Sequence, residues 1–159
     1  MWESVNKTEN KEETYELMLK QLQALSEGIS YQITVLSNAS ALLFDTLDNI
    51  NWAGFYLMSD DKLLLGPFQG KPACTQIPLN RGVCGAAATT KTTQRIEDVH
   101  AFPGHIACDG ASNSEIVIPL IVDGECIGVL DIDSPIKNRF DEVDQYYLEQ
   151  FAVLLLNYL

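Results

Sequence analysis

Between residues 115 and 133 the chain reads E-I-V-I-P-L-I-V, then D-G, then E-C-I-G-V-L-D-I-D. Two apolar runs joined by Asp123 and Gly124 predict an antiparallel hairpin, because the tight turns that match strand twist need residues tolerant of positive φ at their centre. The pattern upstream extends the sheet. N-W-A-G-F-Y-L-M (51–58) is aromatic-rich, S-D-D-K (59–62) is turn chemistry, L-L-L-G-P-F (63–68) follows, and A-C-T-Q-I-P-L (73–79) is a further short strand. T-Q-R-I-E-D-V-H (93–100) reads as a short strand or connection, which brings the total to about six strands.

Helical signals flank this β region. Leu17, Met18, Leu22 and Leu25 recur at helical spacing among charges and stop at Gly28. Residues 30–47 form a second helix, apolar enough to be partly buried against a second subunit, and residues 82–90, rich in Gly and Ala, a short, tightly packed one. Asp141 is placed to cap a last helix, with Tyr146, Tyr147, Phe151, Leu154 and Leu155 on its apolar face. The expectation is an α+β fold: one central antiparallel sheet of about six strands, with N- and C-terminal helices packed on one face. Residues 1–10, largely polar, are expected to be a flexible N-terminus ahead of a single domain over 11–159.

Within that frame three groups of residues suggest chemistry. Asp131 and Asp133 lie at i and i+2 on the second hairpin strand, so they share a face while Ile132 points away; Glu115 opens the partner strand. Acids on one face repel unless a proton or a cation intervenes. Asp133-Ser134-Pro135 is also good turn chemistry, but Asp131 precedes the turn and has no packing role there. Trp52 and Tyr56, at i and i+4 of a strand, share a face too, and with the acids would wall a small pocket for a cationic or zwitterionic ligand. The third group is Cys74, Cys84 and Cys108, each beside small or turn-forming residues rather than inside a long apolar run. Cys126, flanked by strand residues, reads as structural. Separations of 9, 23 and 17 residues contain no C-x-x-C pair, which excludes a thioredoxin-type centre and disfavours a zinc ribbon. His100 and His105 fit no familiar ligand spacing, so no metal and no cofactor is expected.

Charge narrows the partners. A formal net charge of -12 over 159 residues argues against nucleic acid, whose phosphates call for Lys and Arg. No apolar run approaches the roughly 20 residues of a membrane span, and the N-terminus lacks the apolar stretch of a secretory signal. The expected location is the cytoplasm, where a disulfide is usually transient and catalytic.

Six motifs in order then bring a family into view: N-W-A-G-F-Y-L, L-L-L-G-P-F-Q-G-K-P-A-C-T-Q-I-P, R-G-V-C-G, H-I-A-C-D, S-N-S-E-I-V-I-P-L and V-L-D-I-D-S-P. Together they resemble the free methionine-(R)-sulfoxide reductases, stand-alone enzymes of the GAF fold, over about residues 31–155. The resemblance implies reduction of free L-methionine (R)-S-oxide, with recycling by thioredoxin and no cofactor, and it implies a homodimer. It implies Cys108 as nucleophile, Cys74 as principal resolving thiol and Cys84 as the third family cysteine, family members having the nucleophile at either the Cys84 or the Cys108 position. It also implies Trp52 and Tyr56 as pocket wall and Glu115, Asp131 and Asp133 as substrate-binding acids. A fourth thiol, Cys126, departs from the pattern. The rival readings are a non-catalytic GAF module that senses a small ligand, which leaves three loop cysteines without a use, and a dimerising scaffold, which leaves the acids unexplained.

Overall fold

A computed structural model describes residues 1–4 and 9–159. The flexible stretch expected over residues 1–10 includes 5–8, which lie outside the described residues. Asn10 already belongs to the folded part: its side chain accepts from the backbone N–H groups of Glu12 and Glu13 and caps the first helix, α1 (Lys11–Ser26). Gly28, at φ 78°, turns the chain out of it. Helix α2 (Gln32–Thr46) follows.

Six strands then form one antiparallel sheet: β1 (Trp52–Ser59), β2 (Lys62–Gly70), β3 (Gln76–Pro78), β4 (Gln94–Ile96), β5 (Ser114–Val122) and β6 (Glu125–Ser134), in the spatial order β3-β2-β1-β6-β5-β4. Asp123 and Gly124 both have positive φ (50° and 79°), the geometry the β5–β6 turn demands. A short helix, α3 (Gly82–Thr90), leaves β3, a 3-10 turn (Val99–Ala101) follows β4, and α4 (Glu142–Leu156) ends the fold.

Alternation along the strands sorts residues onto two faces. Ala53, Phe55, Ile116, Ile118, Leu120, Leu130 and Ile132 face α1, α2 and α4 and form the larger core with Tyr15, Met18, Leu22, Leu36, Leu43, Leu148 and Phe151. Trp52, Tyr56, Val117 and Val129 face the other way and pack with Val83, Cys84 and Ala87 of α3. The N- and C-terminal helices thus share one face as expected, and α3 covers the other.

Local details differ from the sequence reading. Leu17 is exposed, because the stripe of α1 that meets the core is Tyr15, Met18 and Leu22. Tyr146 is exposed as well, resting edge-on against Tyr147 at 5.0 Å. The strand expected over 73–79 shrinks to Gln76–Pro78. Thr75 still accepts from the Leu65 N–H of β2 at 3.0 Å; ahead of it side chains hold the chain, Tyr56 Oη donating to the Cys74 carbonyl at 3.0 Å and Trp52 Nε1 to that of Lys71 at 3.2 Å.

Candidate active site

Strand register assembles the site. Asp133 pairs with Trp52 of β1 on one side and with Glu115 of β5 on the other. One step along, Asp131 pairs with Gly54 and Val117. All the side chains of these two rows point to the face covered by α3. There they line a cavity with Tyr56, Cys84, His105, Ile106, Cys108, Asp109 and Ser112. The aromatic wall is ordered by stacking, with ring centroids 5.8 Å apart for Trp52 and Tyr56 and 5.1 Å for Trp52 and Phe68.

Burial dominates the electrostatics. Glu115 and Asp131 are each 6% exposed, and Asp133 is partly exposed. Loss of water, followed by the charges of Asp131 and Asp133, pushes the Glu115 carboxyl well above the ordinary range. Asp133 is raised by burial and then by Asp131. Asp131 is raised by burial, opposed by hydrogen bonds from Glu115, Cys84 and Asp133, so protons are retained among the group and shared toward it. With all three ionised, Asp131 Oδ1 is buried without a donor among the described residues. A cationic ligand, or retained protons, satisfies that oxygen.

Cys84 sits at the third position of α3, where a helix N-terminus favours a thiolate. Burial wins: Cys84 is 5% exposed, and desolvation, then Asp131 and Glu115, raises its thiol well above the usual value. Cys74 and Cys108 are joined by a disulfide with a Cα–Cα separation of 5.3 Å. Cys108 lines the cavity; Cys74 does not, and sits on the segment bonded by Tyr56 and Trp52. Cys126 is outside the cavity, half-buried, with its thiol donating to the Gly128 carbonyl at 3.1 Å.

All eight residues singled out from the sequence therefore converge: seven line one cavity, and the eighth, Cys74, is bonded to one of those seven, Cys108. Sequence reasoning missed Asp109 and Ser112, next to Cys108 in C-D-G-A-S-N. Asn51 Nδ2 donates to both, at 3.1 Å each, and ties the cysteine loop to the start of β1. Asp109 Oδ1 also accepts from the Ala111 N–H, a turn that the Asp-Gly-Ala string signals, and this bond holds its carboxyl below the ordinary range. His105, which fits no familiar ligand spacing in the sequence, lines the cavity, and burial lowers its imidazole. His100 stays at the surface, 2.8 Å from Asp98.

A curled antiparallel sheet with a small hollow under a short helix is the architecture of a GAF domain, and the GAF domain family matches residues 35–157. The chain is 60% identical over 148 residues to Protein YtsP of Bacillus subtilis, covering 92% of this chain and 91% of that one. It is 55% identical over 146 residues to the free methionine-R-sulfoxide reductase of Escherichia coli, covering 92% and 88%. The X-ray structure of free methionine-R-sulfoxide reductase from Neisseria meningitidis, in complex with its substrate, superposes with a TM-score of 0.94 at 42% identity, covering 99% of this chain and 95% of that one. The chain belongs to the free methionine-R-sulfoxide reductase family of GAF-domain proteins.

Proposed function

We propose that this chain reduces free L-methionine (R)-S-oxide to L-methionine through a cysteine sulfenic acid and an intramolecular disulfide that thioredoxin reopens. The observation that carries the reading is the Cys74–Cys108 pair: one cysteine lines an acid-lined cavity and the other, bonded to it, does not. The Cys108 thiolate attacks the sulfoxide sulfur while a protonated cavity acid, Glu115 or Asp133, gives its proton to the oxygen. Oxygen passes to cysteine, leaving methionine and Cys108 sulfenic acid, so sulfur of the substrate is reduced by two electrons and the thiol oxidised by two. The Cys74 thiol condenses with the sulfenic acid, water leaves, and the disulfide forms. A dithiol reductant, thioredoxin, then takes the bond by exchange.

Asp131 holds the substrate ammonium, for which its unpartnered oxygen is suited, and Trp52 packs the S-methyl end. Cys84 contributes shape to the cavity and no electrons to this cycle. We assign the protein to the cytoplasm, in keeping with a transient disulfide; no described helix is long and apolar enough to cross a membrane. Tyr31, Ile33 and Phe44, exposed at and along α2, are the surface we assign to a homodimer. Residues 11–159 act as one GAF domain.

The test is NADPH consumption with thioredoxin and its reductase, run separately on the R and S epimers of free methionine sulfoxide. Turnover of the R epimer alone supports the proposal; turnover of neither sends it to a non-catalytic sensing role.

A further inference from the structure

The floor of the cavity carries a donor set that the reduction cycle leaves idle in part. Cys84 Sγ, an oxygen of Glu115 and an oxygen of Asp131 lie within 4.8 Å of one another, and all three residues are buried. We infer that Cys84, Glu115 and Asp131 form a binding site for a thiophilic divalent cation of the Zn2+ class, and that the cation excludes the amino-acid substrate.

The donor types select the ion. A thiolate with two carboxylates suits a borderline-soft metal; Mg2+ and Ca2+ favour oxygen throughout. Three protein ligands with a fourth position open to water is a familiar arrangement for zinc, and Asp133 lines the same cavity. Bonds of about 2.0 to 2.3 Å at tetrahedral angles bring donors to roughly 3.3 to 3.7 Å of one another. Starting within 4.8 Å, the side chains need to close by about an ångström. The supports are rigid: Cys84 in the first turn of α3, Glu115 on β5 and Asp131 on β6.

The buried Oδ1 of Asp131 is a second observation pointing to a ligand, since with the neighbouring acids ionised no donor among the described residues reaches it. Two cations in turn fit the need. The substrate ammonium brings one positive charge and the metal two, against a thiolate and two carboxylates. On metal binding the thiol and any protonated acid release their protons to solvent. The metal site stands independently of the reductase reading; only the exclusion of substrate rests on it.

The experiment uses tag-free protein with the Cys74–Cys108 bond intact, so that Cys84 and Cys126 are the remaining thiols. Co2+ is titrated in, with sulfur-to-cobalt charge-transfer absorption as readout and Zn2+ as displacing ion. One equivalent should bind with a thiolate band, lost in Cys84→Ser and retained in Cys126→Ser. Glu115→Gln, which keeps the side-chain shape, should weaken Co2+ by about tenfold or more, since even an outer-shell partner is commonly worth that much. A band that follows Cys126, or affinity unchanged in Glu115→Gln, overturns the site. Free L-methionine should raise the apparent Kd for Co2+; simultaneous binding of both overturns the exclusion and leaves the metal site standing. Failure of the R epimer assay together with a Cys84-dependent band removes the reductase reading alone.

Discussion

Glu115 stands directly opposite Asp133 in the β5–β6 ladder, and the two side chains emerge on the same face of the sheet. Directly opposed like charges destabilise a strand pair, and here Asp131 adds a third acid one step away in a buried setting. Burial and this crowding raise the Glu115 and Asp133 carboxyls, so they hold protons that an exposed acid would lose; in the proposed cycle one of these protons goes to the sulfoxide oxygen.

Glu115→Gln should therefore stabilise the ligand-free protein at neutral pH while depressing reduction. The wild-type carboxyl is raised in the folded state, so above the unfolded value of about 4.3 the native state binds more protons than the unfolded one. Stability then falls as pH rises from that value until the folded group itself ionises. Glutamine removes this dependence. The gain at pH 7 is expected on the order of 1 to 3 kcal/mol, the cost of an unsatisfied buried polar group, and should vanish towards pH 4. Urea unfolding across that range checks it; a gain that grows at low pH refutes the protonation argument.

The two disulfide-bonded cysteines are not equivalent, since Cys108 alone lines the cavity. Reduced Cys108→Ser should release no methionine in a single turnover. Cys74→Ser should release about one methionine per chain and then stall with thioredoxin, because the sulfenic acid lacks its partner. Chemical quench with amino-acid analysis reads both. A full yield from Cys108→Ser combined with none from Cys84→Ser would exchange the roles of those two residues.

How much of this was legible beforehand follows from which residues obey local rules. The β5–β6 hairpin declares itself through Asp123-Gly124, and alternation alone puts Asp131, Asp133 and Glu115 on one face. Trp52 and Tyr56 were readable for the same reason. The cysteine segments were not: residues 73–75 look like a strand, yet after the Leu65 N–H bond to the Thr75 carbonyl the ladder stops, and Tyr56 binds the Cys74 carbonyl from across the site. Asn51, Asp109 and Ser112 escaped for a related reason, since their link joins residues 58 and 61 positions apart and no local pattern encodes it. The outward turn of Leu17 and Tyr146 was hidden because a helix of mixed polarity permits more than one stripe until its neighbours choose.

A stability test away from the cavity concerns Asp144, which is fully buried at the start of α4. It accepts from Tyr15 Oη at 2.6 Å, Lys11 Nζ at 2.6 Å, Arg139 at 3.3 Å and the Asp141 N–H at 2.9 Å, so one carboxylate ties α1, α4 and the preceding loop together. Asp144→Ala strands the Tyr15 hydroxyl and the Arg139 charge. Breaking a buried ion pair from one side costs about 3 to 5 kcal/mol, or roughly 10 °C in Tm for a chain of this size. Calorimetry measures the loss, and kcat/KM well below the new Tm should stay near wild type. A shift under about 2 °C would mean that water replaces the carboxylate without penalty.

Selectivity for the free amino acid gives the last test. A methionine residue inside a protein has no α-ammonium, whereas free methionine sulfoxide presents one. In the account above that charge meets Asp131, whose buried oxygen lacks any other donor among the described residues. A charge-assisted hydrogen bond contributes about 1.5 to 3 kcal/mol, or roughly tenfold to a hundredfold in affinity. Acetylating the substrate nitrogen removes the bond and buries an unpaired carboxylate as well, so the loss should reach the upper end of that range or exceed it. Asp131→Ala should correspondingly raise KM for the free R epimer more than it lowers kcat, because the ammonium contact is made equally in the ground and transition states. For the N-acetylated R epimer the same substitution should cost little, since there is no ammonium left to lose. Comparable kcat/KM for free and N-acetylated substrate in the wild-type enzyme would rule out an ammonium site built on Asp131.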